Sequence, residues 1–158
     1  MEEISSENLV RLESRYRATA VIIAGQIAFT VILTVTFWLL APKRENTISQ
    51  QTLTALWIAM IFLAVGAFVL RRTFFRWDRL KDIALLKGVA GLLGTLQNTA
   101  IILSVFATLI AIVGCVITFL TGESFETLRA GIVALIVFLI NFPRKSVWEK
   151  IVAGMEKV

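Results

Sequence analysis

The sequence contains no histidine and only one cysteine, which excludes much of the familiar catalytic and metal chemistry. Without histidine the chain has no imidazole to bind haem or another metal, and it lacks the usual general base at neutral pH. Cys115 alone can form neither an intramolecular disulfide nor a cysteine-based metal cluster. Gly88, Gly91 and Gly94 follow no strand and precede no Lys-Ser or Lys-Thr pair, so they form no phosphate-binding loop. We therefore expect no catalytic residue, no metal ligand and no cofactor.

Charged residues are also missing from the middle of four long apolar stretches. A bilayer core ~30 Å thick is crossed by a helix of about 20 such residues. The sequence therefore predicts an all-α integral membrane protein with four transmembrane helices, at about 18–41, 53–70, 96–121 and 125–142. These spans and short connections account for nearly all of the 158 residues, so we expect a single membrane domain over 1–158 and not an enzyme. Proton relays and ion-coupled transporters need an ionisable group deep in the membrane. Because the middle of each apolar stretch has no such group, the sequence argues against both classes.

The basic residues predict how the chain is oriented. Of the 16 Lys and Arg residues, 13 precede the first span, lie between the second and the third or follow the last, and 3 lie in the other two connections. Because basic residues accumulate on the cytoplasmic side, we expect both termini to be cytoplasmic (N-in/C-in). No organelle presequence pattern is present, so the expected location is a bacterial cytoplasmic (inner) membrane. The net charge of +5 is explained by this orientation and requires no nucleic acid.

Three segments outside the spans have helical spacing of apolar residues. Residues 1–17 form a cytoplasmic N-terminal segment compatible with a short surface helix, and 143–158 an interfacial C-terminal helix held by Trp148. Residues 72–95 read as an amphipathic cytoplasmic or interfacial linker between spans 2 and 3. This linker is either a cytoplasmic extension of span 3 or a surface helix that joins the span through a glycine-rich joint. The second reading is favoured, because three glycines weaken a helix exposed to water.

The connection between the third and fourth spans is only a few residues long. Gly122 is expected to stop one helix and Ser124 to cap the next, which gives a tight antiparallel hairpin.

Two sets of polar side chains are candidate functional residues. Amides and hydroxyls within the spans either hydrogen-bond between helices or line a polar path: Gln26, Thr30, Thr34, Gln97 and Asn98. Basic residues of the segment 71–87 are candidate contacts for anionic lipid headgroups at the cytoplasmic face: Arg71, Arg72, Arg76 and Arg79.

Small residues recur at four-residue spacing in three spans, which is typical of close helix packing in lipid. The three stripes are Ala20, Ala24 and Ala28; Ala107, Ala111 and Cys115; and Ala130 and Ala134. The sequence therefore predicts a non-catalytic multi-pass protein that acts by helix packing, as a homo-oligomer or as an accessory or assembly subunit of a membrane complex. The alternative is an oligomeric channel or uncoupled pore, whose flux in liposomes would be abolished by leucine at positions 97 and 98.

Overall fold

A computed structural model describes residues 5–41 and 48–155, and within these ranges the chain is all-helical without strands. Five helices follow one another in these ranges: α1 Ser6–Leu39, α2 Gln50–Phe74, α3 Trp77–Thr121, α4 Ser124–Asn141 and α5 Lys145–Met155. Among the described residues, four helices are long and apolar enough to cross a membrane, which confirms the predicted number of candidate spans. Three of the 16 basic residues, Lys43, Arg44 and Lys157, lie outside the described residues, as do 1–4.

The α3–α4 hairpin is closed by a glycine and by a threonine hydroxyl from the preceding helix. Gly122 ends α3 in the left-handed region at φ 74°, as predicted. The predicted cap at Ser124 is wrong, because α4 begins at Ser124 and Glu123 occupies the cap position without a side-chain bond. The Thr118 hydroxyl replaces that bond by accepting from the Thr127 N–H at 2.8 Å.

One glycine breaks α3 near its start. Gly88 has φ 65° and ψ −175°, a conformation open essentially to glycine alone, and it separates a helix over 77–87 from one over 89–121. Gly91 and Gly94 lie inside the second helix. The break predicted for the glycine-rich segment is therefore confined to Gly88. Leu92 and Leu93 are both buried, and their packing offsets the weak helix preference of the glycines beside them.

The main core surrounds α3, which packs against each of the other four helices. In the most apolar stretch of α3 half of the residues are buried inside the bundle, whereas in that of α2 only 11% are buried. α2 therefore lies at the periphery. The buried members of the main core are Ile23, Met60, Ala67, Ala100, Leu103, Ala107, Ile110, Ala111, Ala130, Ala134, Val137 and Phe138.

A second core forms where α1 and α3 extend past the end of α4. At ~1.5 Å per residue, α1 and the 89–121 helix are each about 50 Å long and α4 is about 27 Å. α5 folds back onto the longer helices together with the 77–87 helix. The buried members of the second core are Leu12, Leu80, Leu92, Leu93, Leu96, Trp148, Ile151, Val152 and Met155.

Two terminal segments differ from their expected form. α1 runs without a break from Ser6, so the described part of the N-terminal segment belongs to the first long helix and not to a separate surface helix. The apolar face of α5, assigned above to the membrane surface, is buried in protein: Trp148 is 1% exposed and its ring meets Tyr16 edge-on at 5.9 Å. An amphipathic sequence does not specify whether lipid or protein contacts its apolar face. Here the apolar face of α5 packs against the ends of α1 and α3 that extend past α4.

Candidate functional site

The three small-residue stripes are used differently in the fold. Ala107, Ala111, Ala130 and Ala134 are fully buried where α3 meets α4. Close approach is required there, because a Cβ built on Gly114 would collide with Ala130. These two stripes therefore hold the chain together.

The stripe on α1 stays on the outer surface. Ala24 and Ala28 are exposed and Ala20 is partly exposed. Gly25 beside them is also exposed, and a Cβ built on it would have no atom within 4 Å. The α1 stripe, defined as Ala20, Ala24 and Ala28, is thus a packing surface that the chain itself leaves uncovered.

Polar residues of α1 point towards α4 inside the bundle. Thr30 and Thr34 are buried, and both line a mainly apolar cleft of about 140 Å³ between the two helices. Thr34 marks a close crossing, because a Cβ on Gly131 would lie 2.6 Å from its Cγ2. The side-chain oxygens of Gln26, Thr30 and Thr34 are buried without a hydrogen-bond partner. Thr30 and Thr34 are therefore brought together, on the inner side of α1.

Gln97 and Asn98 lie at a different level of the bundle. The Gln97 Oε1 accepts a hydrogen bond from the Arg15 Nη1 at 2.8 Å, and Asn98 is exposed. Arg15 precedes Gln26 by 11 residues on α1, which corresponds to about 16 Å along the helix axis. The five predicted polar residues thus form two separate groups in one chain.

The four predicted lipid-contacting arginines have different surroundings. The Arg71 guanidinium donates to the backbone carbonyl of Ile140 in the last turn of α4. Arg79 lies 4.6 Å from the centre of the Phe74 ring, in a cation–π contact. Arg76 is 3.9 Å from the Asp78 carboxylate, a loose and exposed ion pair. Arg72 is exposed and forms no ion pair within the described part of the chain.

The sequence reasoning did not identify Glu126 as a buried charge. Glu126 lies in the first turn of α4 and is 5% exposed. Its Oε1 accepts from the Arg129 Nη1 at 3.0 Å, whereas its Oε2 is buried without a partner. The three-residue spacing to Arg129 indicates an ion pair but not its burial, because such pairs also form on solvated helix faces.

The arrangement offers helix-packing surfaces and basic patches, and no group of three or more His, Cys, Asp or Glu side chains that could hold a metal lies in the described ranges. No protein-family model, no curated protein and no solved structure matches this chain.

Proposed function

We propose that this chain is a non-catalytic multi-pass membrane protein that acts by helix packing, as a homo-oligomer or as an accessory or assembly subunit of a larger membrane complex. The observation that carries the proposal is the exposed stripe of Ala20, Ala24 and Ala28 on α1. In lipid no hydrophobic force draws helices together, and close approach through small residues supplies much of the association energy. The equivalent stripes of α3 and α4 already serve this purpose inside the chain, so the α1 stripe is available to a partner.

A second copy of the chain is the simplest partner for this surface. Two copies inserted in the same direction bring their α1 helices together in parallel. An isologous contact then places one stripe against the same stripe of the other copy. In a heteromeric complex, a helix of another subunit with its own small residues would occupy the same surface.

The proposed orientation places both termini and the second core in the cytoplasm, and the proposed location is a bacterial inner membrane. Basic residues favour this orientation, because they are concentrated at the α5 end of the bundle. The 77–87 helix is proposed to lie as an amphipathic linker near the cytoplasmic membrane surface. Leu80 is buried in the second core, while Leu86 is 83% exposed beside Lys87. The proposed partners at this face are anionic lipid headgroups, contacted by Arg71, Arg72, Arg76 and Arg79.

The oligomeric pore remains the alternative prediction. It would need Gln26, Thr30, Thr34, Gln97 and Asn98 to face water in an assembled ring. Thr30 and Thr34 face α4 and Gln97 is bonded to Arg15, so these contacts favour packing over a shared aqueous path.

The proposal is tested by enlarging the α1 stripe and measuring the mass of the particle. The wild-type protein, purified in mild detergent, is expected to contain more than one copy or a co-purifying membrane subunit. Ala24→Leu together with Ala28→Leu should weaken that association roughly tenfold or more, because overpacking a close contact costs about 1–3 kcal/mol. Native mass spectrometry and light scattering measure both states.

Ala59→Leu on α2 is the matched control, because Ala59 is also an exposed alanine within a spanning helix. It adds the same apolar volume as each of the two α1 substitutions and should leave the association unchanged. A wild-type protein that is monomeric and free of partners, or equal losses for the α1 and α2 variants, would contradict the proposal.

A further inference from the structure

A small cleft at the α5 end of the bundle brings two arginines together. Arg71, in the last turn of α2, and Arg144, between α4 and α5, line the same cleft of about 40 Å³ with Asn141 and Trp148. The Arg71 guanidinium is held in place by its hydrogen bond to the Ile140 carbonyl. The cleft lies where α2 and α4 both end, which is the depth expected for lipid headgroups if these helices cross the bilayer.

The two positive charges of the cleft have no counter-charge within the described residues. Neither Arg71 nor Arg144 forms an ion pair there, although other basic residues such as Arg11, Arg17 and Lys145 do. Placing two guanidinium groups around one cleft costs electrostatic energy. A bound anion would offset that cost, and planar guanidinium groups suit phosphate oxygens in particular.

Asn141 requires a hydrogen-bond donor from the ligand, whereas the two arginines require an anionic acceptor. Its Nδ2 donates to the Val137 carbonyl at 2.9 Å, whereas its Oδ1 is buried without a donor. A buried acceptor of this kind is unfavourable unless a ligand or water donates to it. The complementary ligand therefore combines anionic oxygens with a nearby hydrogen-bond donor.

We infer that the cleft formed by Arg71, Arg144 and Asn141 binds the phosphodiester of an anionic phospholipid whose headgroup carries a hydroxyl next to the phosphate. The two arginines bind the phosphate oxygens, and the headgroup hydroxyl donates to the Asn141 Oδ1. Free phosphate shares part of this chemistry, so the experiment separates the two sources. The inference deepens the proposed lipid contact and does not depend on the α1 stripe.

The test titrates the purified full-length protein with defined ligands and measures bound lipid by native mass spectrometry. Phosphatidylglycerol supplies both the charge and the hydroxyl, phosphatidylmethanol supplies the charge without a hydroxyl, and phosphatidylcholine supplies neither a net charge nor a donor. We expect phosphatidylglycerol to bind about three- to tenfold more tightly than phosphatidylmethanol, and phosphatidylcholine to bind more weakly than both. Equal binding of the two anionic lipids would overturn the hydroxyl assignment. Inorganic phosphate that competes as strongly as phosphatidylglycerol would overturn the lipid assignment.

Arg144→Gln tests the site itself, because Arg144 is exposed and its loss leaves the Arg71 bond to α4 intact. It should weaken both anionic lipids roughly tenfold. Lys87→Gln removes one positive charge from an exposed position outside the cleft and should weaken binding less than about threefold. Equal effects of the two variants would show diffuse attraction and overturn the site.

Asn141→Leu tests the acceptor separately. It should abolish the preference for phosphatidylglycerol over phosphatidylmethanol while leaving the affinity for phosphatidylmethanol within about twofold. A preference that survives this substitution would overturn the role of Asn141. The mass spectra also report the number of protein copies. A monomer that still binds lipid selectively would contradict the proposed assembly but not the proposed lipid site.

Discussion

At the scale of single residues, Glu126 and Arg129 share one turn of α4, yet the structure buries the acid and leaves the base largely exposed. A carboxylate removed from water is costly unless it is paired, and the penalty of leaving it alone exceeds what the pair contributes. The Glu126 Oε2 has no partner, so the guanidinium of Arg129 provides the main compensation.

This asymmetry predicts opposite outcomes for the two partners. Arg129→Leu leaves an uncompensated buried charge and should lower the free energy of unfolding by about 1–3 kcal/mol. Glu126→Gln keeps the shape and removes the charge, so it should leave stability unchanged or raise it. Thermal unfolding in a mild detergent measures both variants.

The double variant with both substitutions is the control, since it should recover most of the stability lost by Arg129→Leu. If Glu126→Gln is as destabilising as Arg129→Leu, the charge of Glu126 has a role that this pairing does not explain.

Residue partners were harder to predict from the sequence than residue types. The sequence marked Gln97 as a polar candidate, but its partner Arg15 is 82 positions away, a distance that no local pattern spans. The same holds for Thr34, whose neighbour Gly131 is supplied by a different helix. Contacts of this kind are set by how the helices pack, which the periodicity of one helix does not encode.

At the scale of helices, α5 depends on one large aromatic residue. Trp148 is among the largest fully buried side chains, and it joins α5 to Tyr16 of α1 and to the second core. α5 has 11 residues, fewer than an isolated helix needs in water, so its stability comes from this packing.

Trp148→Ala should therefore release α5 while the spanning helices stay folded. Removing a buried tryptophan costs about 3–5 kcal/mol, which is enough to expose the α5 backbone to solvent. Limited trypsin digestion should then cut at Lys150 much faster than in the wild type, with no large change in helix content by circular dichroism.

Trp38→Ala is the comparison, because Trp38 is exposed near the other end of α1. It should leave cleavage at Lys150 unchanged. If Trp148→Ala leaves cleavage unchanged, or if the whole bundle unfolds with it, α5 is not a separately attached element.

Helix existence was predictable here and helix continuity was not. Apolar runs and the stop at Gly122 marked the spans and the hairpin. The break at Gly88, in contrast, was one of three equivalent glycines in the sequence, and buried leucines kept the other two helical. Likewise, the helical spacing of α5 predicted an apolar face but not the protein surface that covers it.

At the scale of the whole molecule, the described residues form four helices of membrane-spanning length, and α1, α3 and α5 build a second core beyond the end of α4. The sequence alone predicted the class and the number of spanning helices, because about 20 consecutive apolar residues have few other uses. The second core was not predicted, since its members come from both termini and the linker. The candidate packing surface was predicted only as one of three stripes, and the fold identified α1 as the exposed one.

The proposed orientation places the second core in the cytoplasm and the start of α2 on the opposite side of the membrane. Cysteine labelling tests this directly in a Cys115→Ala background, with single substitutions Glu7→Cys, Gln51→Cys or Lys150→Cys at exposed positions. In intact spheroplasts a membrane-impermeant maleimide should label the protein with the cysteine at position 51, and it should label positions 7 and 150 only after permeabilisation. Labelling of position 7 or 150 before permeabilisation would contradict the four-span, N-in/C-in arrangement.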